Sequence, residues 1–317
     1  RWKRFRDPHH IAVINYEGLF VLGRALADRY GIIIVDEVHR ARNAHSATSR
    51  GLAWLSRRAK YVIGLTGSPV LEHPTDVYGV VRAVNPFAFT EDYYAWRDRL
   101  FYRGTGSQKR WTPKPGTMEH LAALLDSMSI RHTREDLPVD FPTLIQPGPI
   151  EVDLHPEVRS VYRHMERDFQ AVLRDEVVLA MNVYPRLQKL SQLTHGYMRD
   201  NKGKVIIVGR STKAGALLDF VREVRGTGPI VVWAIRHPEI AVASSVLNRC
   251  GVRHGIVCGL RTINQNVATV RLFNQGRLQG LVAHPRSIGE GEDLEASYSV
   301  RFSFSHSALQ YDQPLGR

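Results

Sequence analysis

Two carboxylates stand side by side at the end of an apolar run, in Gly31-Ile32-Ile33-Ile34-Val35-Asp36-Glu37-Val38-His39. Ionised carboxylates are costly to bury. A pair delivered by a buried strand to its C-terminal end, where open α/β sheets bind ligands, therefore suits a metal or phosphate task. Taken alone, the same pair also reads as two surface acids just past a strand. A second apolar run ends in Leu65-Thr66-Gly67-Ser68-Pro69, where two hydroxyls flank a glycine; alone, this is an ordinary turn. The 14 histidines are scattered and show no HExxH spacing, so packing or surface roles suit most of them. Cys250 and Cys258 are too few and too far from each other's motifs for a zinc ribbon or a disulfide framework. No GxxxxGK[ST] phosphate loop is present. Gly104-Thr105-Gly106-Ser107-Gln108-Lys109 and Gly209-Arg210-Ser211-Thr212-Lys213 both fail on spacing.

The elements that must hold these residues alternate between strand and helix, the pattern of α/β lobes with largely parallel sheets. Strands are expected at 11–15, 32–35, 61–65, 150–154, 229–234, 255–257 and 278–283. Their near-continuous apolar runs suit sheets covered on both faces. Amphipathic helices are expected at 17–27, 48–59, 158–181 and 214–224, with Leu217, Phe220, Val221 and Val224 facing the core. Residues 137–149 hold Pro138, Pro142, Pro147 and Pro149, which favours an extended linker, so the expected domains are 1–148 and 149–317. Residues 103–116 read as an exposed basic loop within an insertion of the first lobe.

Length and charge bound the partners. The 317 residues have room for two domains. No apolar run reaches the roughly 18 residues that a membrane span needs, so a membrane partner is not expected. Lys and Arg outnumber Asp and Glu by 43 to 31, a net charge of +12 that favours polyanions, because each phosphate neutralised releases condensed counterions. Two cysteines and no signal-type apolar core suit a reducing, DNA-accessible compartment, whether cytoplasm, nucleoid or nucleus, rather than secretion.

Asp36-Glu37-Val38-His39 resembles the DExH box of superfamily-two helicases, and further segments follow in the order of Swi/Snf-type DNA-dependent ATPases. Val13-Ile14-Asn15-Tyr16-Glu17 resembles the segment preceding the box, and Leu65-Thr66-Gly67-Ser68-Pro69 the family's motif three. Residues 77–86 fit the helix after motif three, and Arg131-His132-Thr133-Arg134 the basic stretch before the second lobe. There, Glu151-Val152-Asp153-Leu154-His155-Pro156 resembles the opening of the lobe. Arg186-Leu187-Gln188 resembles the LRQ helix, Ser211-Thr212-Lys213 the SxK segment, 229–235 the strand of motif four, and 267–273 the family's R…F helix. Residues 284–294 resemble motif five, and Gln313-Pro314-Leu315-Gly316-Arg317 the start of motif six.

The resemblance implies two RecA-like lobes that translocate on double-stranded DNA, driven by ATP and Mg²⁺ in the cleft between them, with a DNA-bound protein as a further partner. It makes Asp36 the holder of Mg²⁺ through water and Glu37 the catalytic base. His39 couples the nucleotide site to motif three, and Thr66, Ser68 and Ser287 link hydrolysis to DNA. Gly289, Gly291 and Gln313 lie at the nucleotide, and Arg317 reaches the γ-phosphate. The pattern departs at Glu292 and Asp293, where motif five usually has Leu-Asn, and at Pro314 within motif six. The missing phosphate loop implies truncation upstream and poor ATP affinity as the chain stands, and with no initiating Met and a last residue inside motif six, truncation at both ends is expected. Two other functions stay open: a strand-separating DExH helicase or restriction-system motor, and a non-catalytic DNA-binding remnant.

Overall fold

The computed structural model describes residues 11–27, 29–70, 73–104, 111–132, 136, 145, 147–168, 170–173, 176–179, 183–288 and 293–304. The chain divides into two compact units, Arg1–Pro142 and Thr143–Arg317.

The first unit is built around two parallel strands, β1 (Ile32–Val35) and β2 (Tyr61–Gly64), paired in register from Ile32 opposite Tyr61 to Val35 opposite Gly64. Alternate residues point to opposite faces. Ile33, Val35 and Val62 pack against α1 (Tyr16–Leu26), α2 (Ala47–Ser56) and α3 (Asp76–Val84) through Leu19, Leu52, Leu55, Val80 and Ala83. The other face carries Ile32, Ile34, Tyr61 and Ile63, all exposed among the described residues. Among the described residues, the burial on both faces expected from the apolar runs is therefore met on one side of this sheet.

Helix starts follow side-chain capping. Asn15 accepts the N–H of Gly18 at 2.8 Å and Ser46 that of Ser49 at 3.1 Å, so residues 11–15 form an irregular approach to α1 rather than the expected strand. Beyond α3 lies a second small core. In it, α4 (Tyr93–Leu100) and α5 (Thr117–Met128) bracket an antiparallel hairpin, β3 (Phe101–Arg103) and β4 (Trp111–Pro113), around the fully buried Trp96. The expected basic loop is thus flanked by paired strands. Trp111 is half-buried beneath the Arg97 guanidinium, 3.6 Å from its ring centroid, while Lys109 and Arg110 fall outside the described residues.

The second unit holds a four-stranded, wholly parallel sheet in the order β10-β11-β9-β12, with β9 Ile230–Trp233, β10 His254–Val257, β11 Gly280–Ala283 and β12 Tyr298–Arg301. The central strands β9 and β11 are buried at every position, as apolar runs covered on both faces should be. One face packs on α8 (Thr212–Val224) and α9 (His237–Arg249), where Leu217, Val221 and Val224 are buried and Phe220 is partly so. The other packs on α10 (Ile263–Asn274) through Val270 and Phe273. The sheet and its three helices are the layered α/β arrangement expected from the alternating pattern.

Two expectations fail in this unit, and one element was not expected. Residues 150–154 are irregular rather than a strand. The helix expected over 158–181 is α6 (Pro156–Asp168), followed by an antiparallel hairpin, β5 (Gln170–Leu173) with β6 (Glu176–Leu179). After α7 (Val183–Leu193) comes a second hairpin, β7 (Tyr197–Arg199) with β8 (Val205–Ile207), also unforeseen. Apolar residues at 171–173 and 177–179 fit a continued helix as well as two strands, and periodicity alone does not separate the two over such short runs.

A buried polar hub ties the β7 segment to the sheet. Glu239, fully buried in the first turn of α9, accepts hydrogen bonds from Tyr197 Oη at 3.0 Å, Arg236 Nη1 at 2.8 Å and Arg236 N at 3.1 Å. Burial alone would raise its carboxyl, but His195 and Arg236 outweigh that and hold it below the usual range. His195 lies 4.0 Å from Glu239 Oε1, edge-on to Phe302, and neither ring nitrogen has a hydrogen-bond partner among the described residues. Desolvation lowers its pKa from 6.5 to about 4, against the pull of Glu239. At neutral pH the ring is uncharged, so Arg236 is the cation that persists beside the carboxylate.

Between about pH 6.5 and 4 the unfolded chain binds a proton at His195 that the folded chain does not, so stability is lost as the pH falls through that window, by about 3 kcal/mol. Thermal unfolding of the full-length protein at a series of pH values should show this slope, and His195→Phe should flatten it. An identical slope in the variant would remove His195 from the account.

Candidate active site

The acid pair stands where β1 ends. After Val35 the chain turns through Asp36 and Glu37 into a short 3-10 turn, Val38–Ala41. Its backbone is tied down on every side. Leu65 N donates to Val35 O and Val38 N to Leu65 O, both at 2.9 Å, which locks the turn to the end of β2. Glu37 N donates to Asp36 Oδ1 at 2.9 Å, and Arg40 N to Glu37 O at 2.9 Å. Tyr16 Oη reaches Asp36 O at 2.6 Å and Glu37 O at 3.1 Å. Glu37 itself is left-handed, with φ 48° and ψ 50°, the one non-glycine residue with positive φ among those described. Such a conformation costs on the order of 1–3 kcal/mol and persists only where its surroundings impose it.

Close backbone approach holds the turn from behind. A Cβ built on Gly79 of α3 would lie 2.3 Å from Arg42 O and 2.5 Å from Ala41 O. Only glycine lets α3 come this near to the chain leaving the box.

The side chains converge. Glu37 Oε2 lies 3.0 Å from His39 Nδ1, and the same nitrogen lies 3.0 Å from Thr66 Oγ1. Thr66 Oγ1 also accepts the N–H of Ser68 at 3.2 Å. The buried His39 ring therefore sits between the Glu37 carboxylate and the Thr66 hydroxyl, with Nδ1 facing both. Glu37 thus meets His39, and His39, Thr66 and Ser68 are joined by hydrogen bonds into the turn after β2.

Asp36 is exposed beside it. Its carboxylate is a hard donor of the kind Mg²⁺ takes, and no cluster of three or more His, Cys, Asp or Glu forms a metal cage among the described residues. One carboxylate without a cage fits a cation that keeps most of its waters and is held jointly with phosphates.

Of the other expected site residues, Ser287 closes a 3-10 turn after β11, where its N–H donates to His284 O at 2.9 Å. It belongs to the second unit. Gly289, Gly291, Gln313 and Arg317 lie outside the described residues. Tyr16, Gly79 and the conformation of Glu37 were not singled out from the sequence. Tyr16 is separated from the box by about 20 positions, and nothing local marks its hydroxyl as a partner of the acids.

Parallel sheets in each unit, and an acid pair at a strand end whose neighbouring His39 bonds to the hydroxyl turn of the next strand, are the pattern of a helicase-like ATPase. Residues 3–202 match the SNF2-related domain, and the chain belongs to that family. It is 25% identical to protein p41 of the Acyrthosiphon pisum secondary endosymbiont phage 1, over 97% of this chain and 67% of p41. Transcription termination factor 2 of Drosophila melanogaster is 29% identical over 51% of this chain, which spans only 15% of that protein. The chain also resembles, distantly, the SWI2/SNF2 ATPase core of Sulfolobus solfataricus in complex with dsDNA, with 18% identity, 90% of this chain and 60% of that one covered, and a TM-score of 0.37.

Proposed function

We propose that the protein is a DNA-dependent ATPase that couples hydrolysis of ATP to movement along duplex DNA. The observation that carries this reading is His39, which meets the Glu37 carboxylate at 3.0 Å and hydrogen-bonds Thr66 at 3.0 Å, linking the acid pair to the turn after the next strand. Family membership and the net charge of +12 support it. A cytoplasmic, nucleoid or nuclear setting and a DNA-bound protein as a further partner belong to the same proposal.

Asp36 would hold Mg²⁺ through water, and the ion would neutralise charge growing on the phosphoryl oxygens. Glu37 accepts the proton of the attacking water, the task of a positioned carboxylate. His39, held by Glu37 and Thr66 together, transmits a change at the carboxylate to the Thr66–Ser68 turn, which with Ser287 answers to the DNA. Gly289, Gly291 and Gln313 bind the nucleotide. Arg317 stabilises the transferring phosphoryl group, a contribution worth about 10³–10⁵ in rate where an arginine serves this way.

The test is movement without strand separation. The full-length protein given ATP should strip a third strand from a triplex while leaving a tailed duplex paired. Unwinding of the duplex would replace this reading by that of a strand-separating helicase, and failure in both assays would leave a DNA-binding remnant.

A further inference from the structure

Tyr16 opens α1, half-buried, with its hydroxyl against the backbone of both acids. The geometry is selective. An extended residue turns its two flanking carbonyls to opposite sides, whereas a residue in either helical conformation turns them the same way. Glu37 is left-handed, so the carbonyls of Asp36 and Glu37 face one side, and a single hydroxyl spans them at 2.6 and 3.1 Å. The ring has little freedom to leave. The Arg40 guanidinium lies 4.6 Å from its centroid and reaches Glu17 Oε1 at 3.8 Å, so the turn that follows the box clasps the tyrosine that holds it.

We infer that Tyr16 is a positioning residue for the acid pair: its hydroxyl holds Glu37 in the left-handed conformation from which the carboxylate meets His39. The role in turnover rests on the hydrolytic reading above; the role in holding the turn does not. Both of these hydroxyl bonds go to backbone carbonyls, so through them Tyr16 acts on the chain path of the acid pair. Removing the hydroxyl should widen the conformations open to Glu37 without altering the groups that carry charge.

Tyr16→Phe deletes the hydroxyl and keeps the ring for Arg40. In the full-length protein, kcat for hydrolysis should fall by about tenfold, the loss expected when one hydrogen bond's worth of positioning goes, with KM for ATP and affinity for duplex DNA little changed. Hydrogen exchange supplies a readout that needs no activity. Peptides covering residues 36–40 should exchange faster in the variant, because Arg40 N–H bonds to the Glu37 carbonyl that the hydroxyl braces, while those of β2 stay as they were. Unchanged exchange at 36–40 would overturn the proposal. So would faster exchange with unchanged kcat in a protein whose wild type hydrolyses ATP, since the contact would then be structural only. A wild type without hydrolysis would count against the proposed function, and the exchange comparison would still decide whether the hydroxyl holds the turn.

Discussion

Glu37→Gln is expected to abolish most hydrolysis, by about 10²–10⁴ in kcat, the range for loss of a positioned general base. Glutamine has nearly the shape of glutamate, and its side-chain oxygen can take the place of Oε2, 3.0 Å from His39 Nδ1. The bond of His39 to Thr66 is therefore kept, as is the backbone lock of Val38 to Leu65. What is lost is the capacity to take a proton. Duplex binding should survive, because the substitution removes a negative charge from a chain of net charge +12. Steady-state hydrolysis and a salt series of duplex binding, run on wild type and variant together, check both halves. Activity within about threefold of wild type would mean that another group takes the proton.

Glu239→Ala carries the largest expected effect on stability. Its carboxylate is wholly buried and receives Tyr197, Arg236 through two groups, and Ser303, and Arg236 Nη1 extends the network to Ser191 of α7 at 3.2 Å. Truncation leaves a guanidinium with 19% side-chain exposure, without its carboxylate, and a buried phenol without its acceptor. Breaking a buried pair from one side costs about 3–5 kcal/mol, because the orphaned charge stays desolvated. Urea unfolding should show that loss, and Glu239→Gln, which keeps an acceptor for Tyr197, should recover part of it. A loss below about 1 kcal/mol, the size of an exposed pair, would mean that the hub is far better hydrated than its burial indicates.

The two residues differ in how far the sequence exposes them. Glu37 is legible because its chemistry is local: an apolar strand, an adjacent acid and a histidine two positions on. The parallel strands and their covering helices are legible for a related reason, since runs such as 229–234 and the spacing of Leu217, Val221 and Val224 belong to single elements. Glu239 is invisible in the same terms. His237-Pro238-Glu239 reads as an exposed helix start, and only folding brings in Tyr197, 42 positions away, and Ser303 beyond β12. Tyr16 and Gly79 are hidden likewise, because each matters through backbone atoms of a distant segment that no side-chain pattern announces. The hairpins failed for another reason: strands of three or four residues are too short for a period of two to outweigh a period of 3.6.

The central claim is that nucleic acid drives the chemistry at Asp36 and Glu37. The most direct measurement is the ATP hydrolysis rate of the full-length protein with and without duplex DNA, with Glu37→Gln as the blank. The account predicts hydrolysis that duplex DNA stimulates and that the variant lacks under both conditions. Duplex binding by the wild type with no hydrolysis above the blank would contradict it.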